Sequence, residues 1–250
     1  MEATLLLCAA LVSAAPADLG LASSDNFIVH APSQQLADGV LHQAEQYREE
    51  LARAWLGAPL AAGDGPVIIH VRISAELDHA AMLPSKLPQR THTILSLKTS
   101  REMACGATLP HELLHCVLAT RYGEKLPVFA QEGCAGEQDD AEVRAVRRRI
   151  LAQMSTTGRY PRLRTVLDQG HIAATDQTAY TVSCSLAEFL FARRNRTTFL
   201  QFAVDGASGG WDAAARRHYG YQTLTELETD WHRWVDARTR LAASGERRFR

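Results

Sequence analysis

The sequence predicts an α+β fold, with a small mixed sheet-and-helix lobe at the N-terminal end and a mainly α-helical lobe after it. Three observations carry that assignment. Runs rich in β-branched residues are confined to the first two-fifths of the chain, among them Val67-Ile68-Ile69-His70-Val71-Arg72-Ile73. A single amphipathic helix lies among those runs. From Leu109 onward apolar residues recur at helical spacing, with glycines and prolines at the breaks.

In chain order, Asn26-Phe27-Ile28-Val29-His30 is the first strand. Pro32 and Ser33 then open a helix reaching Trp55, with Leu36, Val40, Leu41, Ala44, Tyr47, Leu51 and Trp55 along one face. Gly57 and Pro59 end it, and Gly63-Asp64-Gly65-Pro66 is a turn. The 67–73 run is the second strand. Residues 74–90 carry Pro84 and Pro88, which predicts a loop, and Thr91 to Leu97 is a third strand. The next helix runs from Leu109 to Tyr122 before Gly123, with Pro110 tolerated in its first turn. Pro127 starts another, in which Gly133 and Gly136 imply close backbone approach. Helices are then expected at 140–154, 163–169, 179–193, 197–204, 211–219 and 223–241, with Gly206 to Gly210 and Gly220 as the clearest breaks.

The chain has 250 residues, enough for one large unit, and its 46% hydrophobic content is ample for a core. A net charge of −1 gives no global reason to bind nucleic acid, and Arg147-Arg148-Arg149 is expected to be a solvated face. Residues 4–15 form an apolar run too short to span a bilayer, and Ala15-Pro16-Ala17 follows as a small-x-small site. That pattern predicts a signal peptide over 1–17 and an exported protein, atypical in carrying Glu2 where a basic residue is expected. No other stretch suits an integral membrane span. A domain is expected over 25–241, divided near residue 108, with a basic tail over 242–250. Cys105, Cys116, Cys134 and Cys184 are then an even number, compatible with two disulfides or with buried thiols.

Chemistry concentrates at His111-Glu112-Leu113-Leu114-His115, an HExxH pattern. On a helix, positions i and i+4 share a face, so the two imidazoles can point at one metal ion. Glu112 lies about 100° around the helix from His111, able to reach a water on that metal without ligating it. Two histidines leave Zn2+ short of a ligand. Glu132 is the best third one, since a helix, a turn and the start of a second helix fit between it and His115. Glu124 is expected in an exposed turn. Glu137, Asp139 and Asp140 are either partners for an imidazole N–H or, as preferred, a charged helix start.

With Leu126-Pro127 and Glu132-Gly133-Cys134-Ala135 added, the motif resembles the gluzincin-type zinc metallopeptidases, specifically the peptidase MA-like domains with HExxH followed by LPxWxxEGxA. Phe129 stands where that family often has Trp. The resemblance extends through Tyr180-Thr181-Val182-Ser183 and Phe189-Leu190, then Tyr219-Gly220-Tyr221 and Trp231-His232-Arg233-Trp234, covering roughly residues 25–236. It implies a cleft between the lobes, a His₂Glu zinc site and hydrolysis of a peptide or protein substrate. Glu112 would be the general base. It also implies Tyr180 as the hydrogen-bond donor to the transition state, with His171 and Tyr160 as the next candidates, and the 91–97 strand as a substrate-pairing sheet edge. No motif supplies an acidic anchor for a substrate amine. From a different class, a non-catalytic or zinc-binding interaction domain on the same scaffold would be expected to lack Glu112 or a ligand, and all four residues are present.

Overall fold

A computed structural model describes residues 19–61, 65–74, 79–87 and 90–246. The signal-peptide segment and the last residues of the basic tail lie outside the described residues. The fold is α+β as the sequence predicts. A five-stranded sheet has the order β1-β2-β3-β5-β4, built from β1 (Gly20–Ser23), β2 (Phe27–Ala31), β3 (Val67–Ile73), β4 (His79–Leu87) and β5 (Arg90–Thr99). The central strands β2, β3 and β5 are parallel, and both outer strands are antiparallel to their neighbours.

Helix α1 (Gln34–Leu56) connects β2 to β3. Ser33 caps its N-terminus through the Leu36 N–H, and Gly57 closes it in the left-handed conformation at φ 76°. Its Leu36, Val40, Ala44, Leu51 and Trp55 are buried, and it packs on β1 and β2. The buried side chains of β2 alternate with more exposed ones, the period-two pattern of a sheet with one face in the core.

Two expectations fail in this lobe. Residues 79–87 form β4 rather than a loop, despite Pro84. The reason is position: β4 is an outer strand, and an edge tolerates a residue that has no N–H to donate. It follows that the 91–97 strand is not a sheet edge, because β5 is paired on one side with β3 and on the other with β4. The short strand β1, opposite Ala31 to Ile28, had no signal of its own in the sequence.

The rest is helical: α2 (Arg101–Cys105), α3 (Thr108–Tyr122), α4 (Val128–Ala135), α5 (Ala141–Thr157), α6 (Leu163–Leu167), α7 (Gln177–Arg193), α8 (Arg196–Gly209), α9 (Trp211–Tyr219) and α10 (Leu224–Glu246). Helix α8 runs through the expected break at Gly206. A Cβ there would sit 2.1 Å from the Trp211 ring, so Gly206 is a packing glycine and Gly210, at φ 94°, is the break. Helix α10 extends to Glu246, so part of the expected tail is helix. One hydrophobic core joins Val29, Ile69 and Leu95 of the sheet to Leu113 and Leu114 of α3 and to Phe199, Phe202 and Trp231 beyond. The four cysteines within the described residues are free thiols, so the disulfide alternative fails; Cys134 is fully buried, and Cys105, Cys116 and Cys184 are half-buried. Among the described residues no helix is long and apolar enough to cross a membrane.

Candidate metal centre

Helix α3 rests on α1, α4, β4 and β5, and its apolar face (Leu109, Leu113, Leu114, Val117 and Leu118) is buried. That packing turns His111, Glu112 and His115 inward together. Their ligand atoms lie within 4.8 Å of one another. Glu112 and His115 are each only 7% exposed, so neither is a surface residue caught by a chance pattern.

Glu132 comes from α4, which is pressed against α7. A Cβ on Gly133 would meet the Ser183 carbonyl oxygen at 2.8 Å and the Ala187 Cβ at 2.9 Å. Only a glycine allows that approach, as its place in the sequence implied, and the approach fixes the residue beside it. Glu132 Oε2 lies 3.7 Å from His111 Nε2, and its Oε1 lies 3.8 Å from His115 Nε2. Ligands about 2.0–2.2 Å from a tetrahedral zinc are spaced about 3.3–3.6 Å apart, so each of these two contacts is a few tenths of an ångström longer than in a closed site. The residues present fit a zinc ion.

The rear of His111 is also occupied. Asp139 Oδ1 lies 2.7 Å from His111 Nδ1, an acceptor that favours a proton there and turns Nε2 toward Glu132 and His115, so that a metal taking Nε2 would displace only the second proton. Asp139 is held in turn by Arg147 of α5, whose guanidinium also donates to the Gly136 carbonyl oxygen at 3.2 Å and to Cys184 Sγ at 3.0 Å. Gly136 has no room for a side chain, because a Cβ would fall 2.4 Å from that sulfur. The preferred expectation, a charged helix start, holds for Asp140, which caps α5, and fails for Asp139. Glu137 is exposed and pairs with Arg196, and Glu124 is exposed as expected.

Without a metal, the electrostatics of the cluster are strongly coupled. Burial disfavours a charge on His111, but the Asp139 and Glu132 carboxylates outweigh it and push the imidazole up to about 10. Burial pushes His115 down to about 4 despite Glu132. Burial also lifts Glu112 to about 7, with Glu132 and Asp139 adding to the lift and His111 opposing it.

Tyr180, in the first turn of α7, is half-buried. Burial, and next the Glu132 and Glu112 carboxylates, hold its phenol up at about 12. The two runners-up are not brought to this cluster. His171 is exposed in the loop ahead of α7. Tyr160 donates to Asp236 Oδ1 of α10 at 2.7 Å and stacks on His232. Arg147 was missed as a site residue because it sits in a run of three arginines. The available signal was periodicity, since it shares a helical face with Val143, Ile150, Leu151 and Met154.

A cleft of about 170 Å³ opens beside His111 and Glu112, between Met103, Ala107 and Thr108 on one side and Asp139, Asp140 and Val143 on the other. It lies where the first lobe gives way to the helical one. Comparisons of the chain with protein-family profiles, with curated proteins and with solved structures returned no match.

Proposed function

We propose that this chain is a zinc-dependent peptide hydrolase of gluzincin type, with a peptide or protein as substrate. The observation that carries the reading is the convergence of two imidazole Nε2 atoms on two different oxygens of one carboxylate, at 3.7 and 3.8 Å, beside a buried Glu112. His111, His115 and Glu132 would hold the ion. A bound zinc supplies Lewis acidity at the scissile carbonyl and acidifies the attacking water.

The chain's own residues do the rest. Glu112, ionised, accepts the proton of the attacking water and passes it to the leaving amine nitrogen. Tyr180 keeps its proton and donates a hydrogen bond to the developing oxyanion. Asp139 holds His111 in one tautomer and one orientation, and Arg147 holds Asp139. An extended substrate could add to the sheet at β4, the strand next to α3 that leaves one edge unpaired within the described sheet. On this reading the pairing edge is β4, since the 91–97 strand is paired on both sides.

Metal analysis and a peptide-library cleavage assay on wild type and Glu112→Gln test the reading. The wild type should carry about one zinc per chain. Glu112→Gln should keep the zinc while hydrolysis falls by about 10²–10⁴-fold. A chain that resists zinc loading would sink the metal assignment. Equal hydrolysis by the variant would remove Glu112 as base, and loss of zinc in it would make Glu112 a ligand.

A further inference from the structure

A larger cavity, of about 480 Å³, shares none of the three proposed ligands. Five arginines line it: Arg144, Arg147 and Arg148 from α5, Arg196 from the start of α8, and Arg238 from α10. Three of them already have carboxylate partners, Arg147 on Asp139, Arg196 on Glu137 and Arg238 on Glu188. Arg144 and Arg148 have no side-chain hydrogen bond or ion pair among the described residues. They stand one turn apart on a helix, where like charges repel. Glu137 and Glu188 line the cavity too, but each is paired with Arg196 or Arg238, so the excess at this concave surface is the two positive charges of Arg144 and Arg148.

The floor of the cavity is polar as well. Thr181, Cys184 and Ser185 of α7 line it, and Thr181 is fully buried with its hydroxyl oxygen unpartnered. Its volume falls in the range of about 300–1,000 Å³ typical of small-molecule sites. Guanidinium forks match phosphate oxygens in geometry, and a phosphate group of about two negative charges would neutralise the pair. With a chain net charge of −1, the positive potential is local to this hollow, which suits a small ligand better than a polyanion laid across the surface.

We propose that this cavity binds a small phosphate-bearing anion, with Arg144 and Arg148 as its principal contacts. The assignment stands whether or not the chain is a peptidase. Arg147 belongs both to this wall and to the Asp139 contact, so an occupant would lie one residue away from the group that orients His111.

Calorimetric titration of the full-length chain with inorganic pyrophosphate tests it, with acetate at matched ionic strength as the comparison. Saturable binding of one pyrophosphate per chain is expected, with Kd below about 1 mM, weakening as salt is added. The double variant Arg144→Ala/Arg148→Ala, both at exposed positions, should keep the wild-type melting curve and bind at least about tenfold more weakly. Absence of binding at about 10 mM pyrophosphate would overturn the proposal. So would equal affinity in the double variant, or acetate binding as tightly as pyrophosphate.

Discussion

His111 and Tyr180 show how differently two residues of one site can be tied down. His111 is held at Nδ1 by Asp139, 2.7 Å away, and its Nε2 faces Glu132 Oε2 at 3.7 Å. Tyr180 reaches the cluster only through the fields of Glu132 and Glu112. Their substitutions should therefore separate. Asp139→Asn keeps the shape but weakens the acceptor for the Nδ1 proton, and zinc affinity should fall about 10–100-fold. Tyr180→Phe removes only a hydroxyl, so zinc content should stay at the wild-type value while kcat falls, by up to about 10²–10³-fold for a lost oxyanion donor. Zinc titration and turnover measured on both variants check this. An unchanged kcat in Tyr180→Phe would strip Tyr180 of its role, and unchanged zinc affinity in Asp139→Asn would reduce the Asp139 contact to a bystander.

At the scale of elements, the sequence was most informative where a local rule sufficed. The HExxH helix, the glycines that bring α4 against α7 and the ends of α9 all follow from spacing, caps and breakers. What the sequence concealed depends on neighbours distant along the chain. Pro84 looked like a loop signal because nothing local says that β4 will be an outer strand. Asp139 and Asp140 are adjacent and chemically alike, yet one caps α5 and the other holds a histidine 28 residues earlier. Tyr160 belongs to the same class, since its partner lies 76 residues further on. There Asp236 of α10 accepts from both Ser155 of α5 and Tyr160, at 2.6 and 2.7 Å. Partial burial works against its charge, but those two hydroxyls, helped by Arg240 and His232, leave its pKa below the usual carboxylate range. A depressed folded pKa contributes stability above the unfolded value, lost as pH falls through the folded one. At pH 7, Asp236→Ala should cost about 1–2 kcal/mol after allowance for solvent screening, or about 2–8 °C in Tm. That gap should stay constant down to about pH 5 and close below about pH 4. A gap that stayed unchanged well below pH 4 would mean that the contact between α5 and α10 does not depend on the Asp236 charge.

For the whole molecule, the question is whether a sheet lobe and a helical lobe amount to two folding units. The contacts argue against it. Helix α1 belongs to the sheet by its position in the chain, yet it packs on α3 and also touches α8. Trp55, in its last turn, packs edge-on against Phe191 of α7 and lies under the Arg196 guanidinium of α8. Helix α3 in turn touches β4 and β5 on one side and α4 on the other. A cut near residue 108 would expose buried apolar surface on both pieces, at about 25 cal/mol for every Å² uncovered. Such a cut would also separate α3 from the strands behind it. The metal-free chain should accordingly unfold in a single cooperative step, with the calorimetric and van't Hoff enthalpies in a ratio of about one. Near-ultraviolet circular dichroism, which follows the aromatic core, should melt together with the far-ultraviolet signal. Added zinc, by binding only the assembled site, should raise that one transition without splitting it. Two resolved transitions without metal would show that the sheet and helical lobes hold separate cores, and the rigid support behind His111 and His115 would then have to come from α4 and α5 alone.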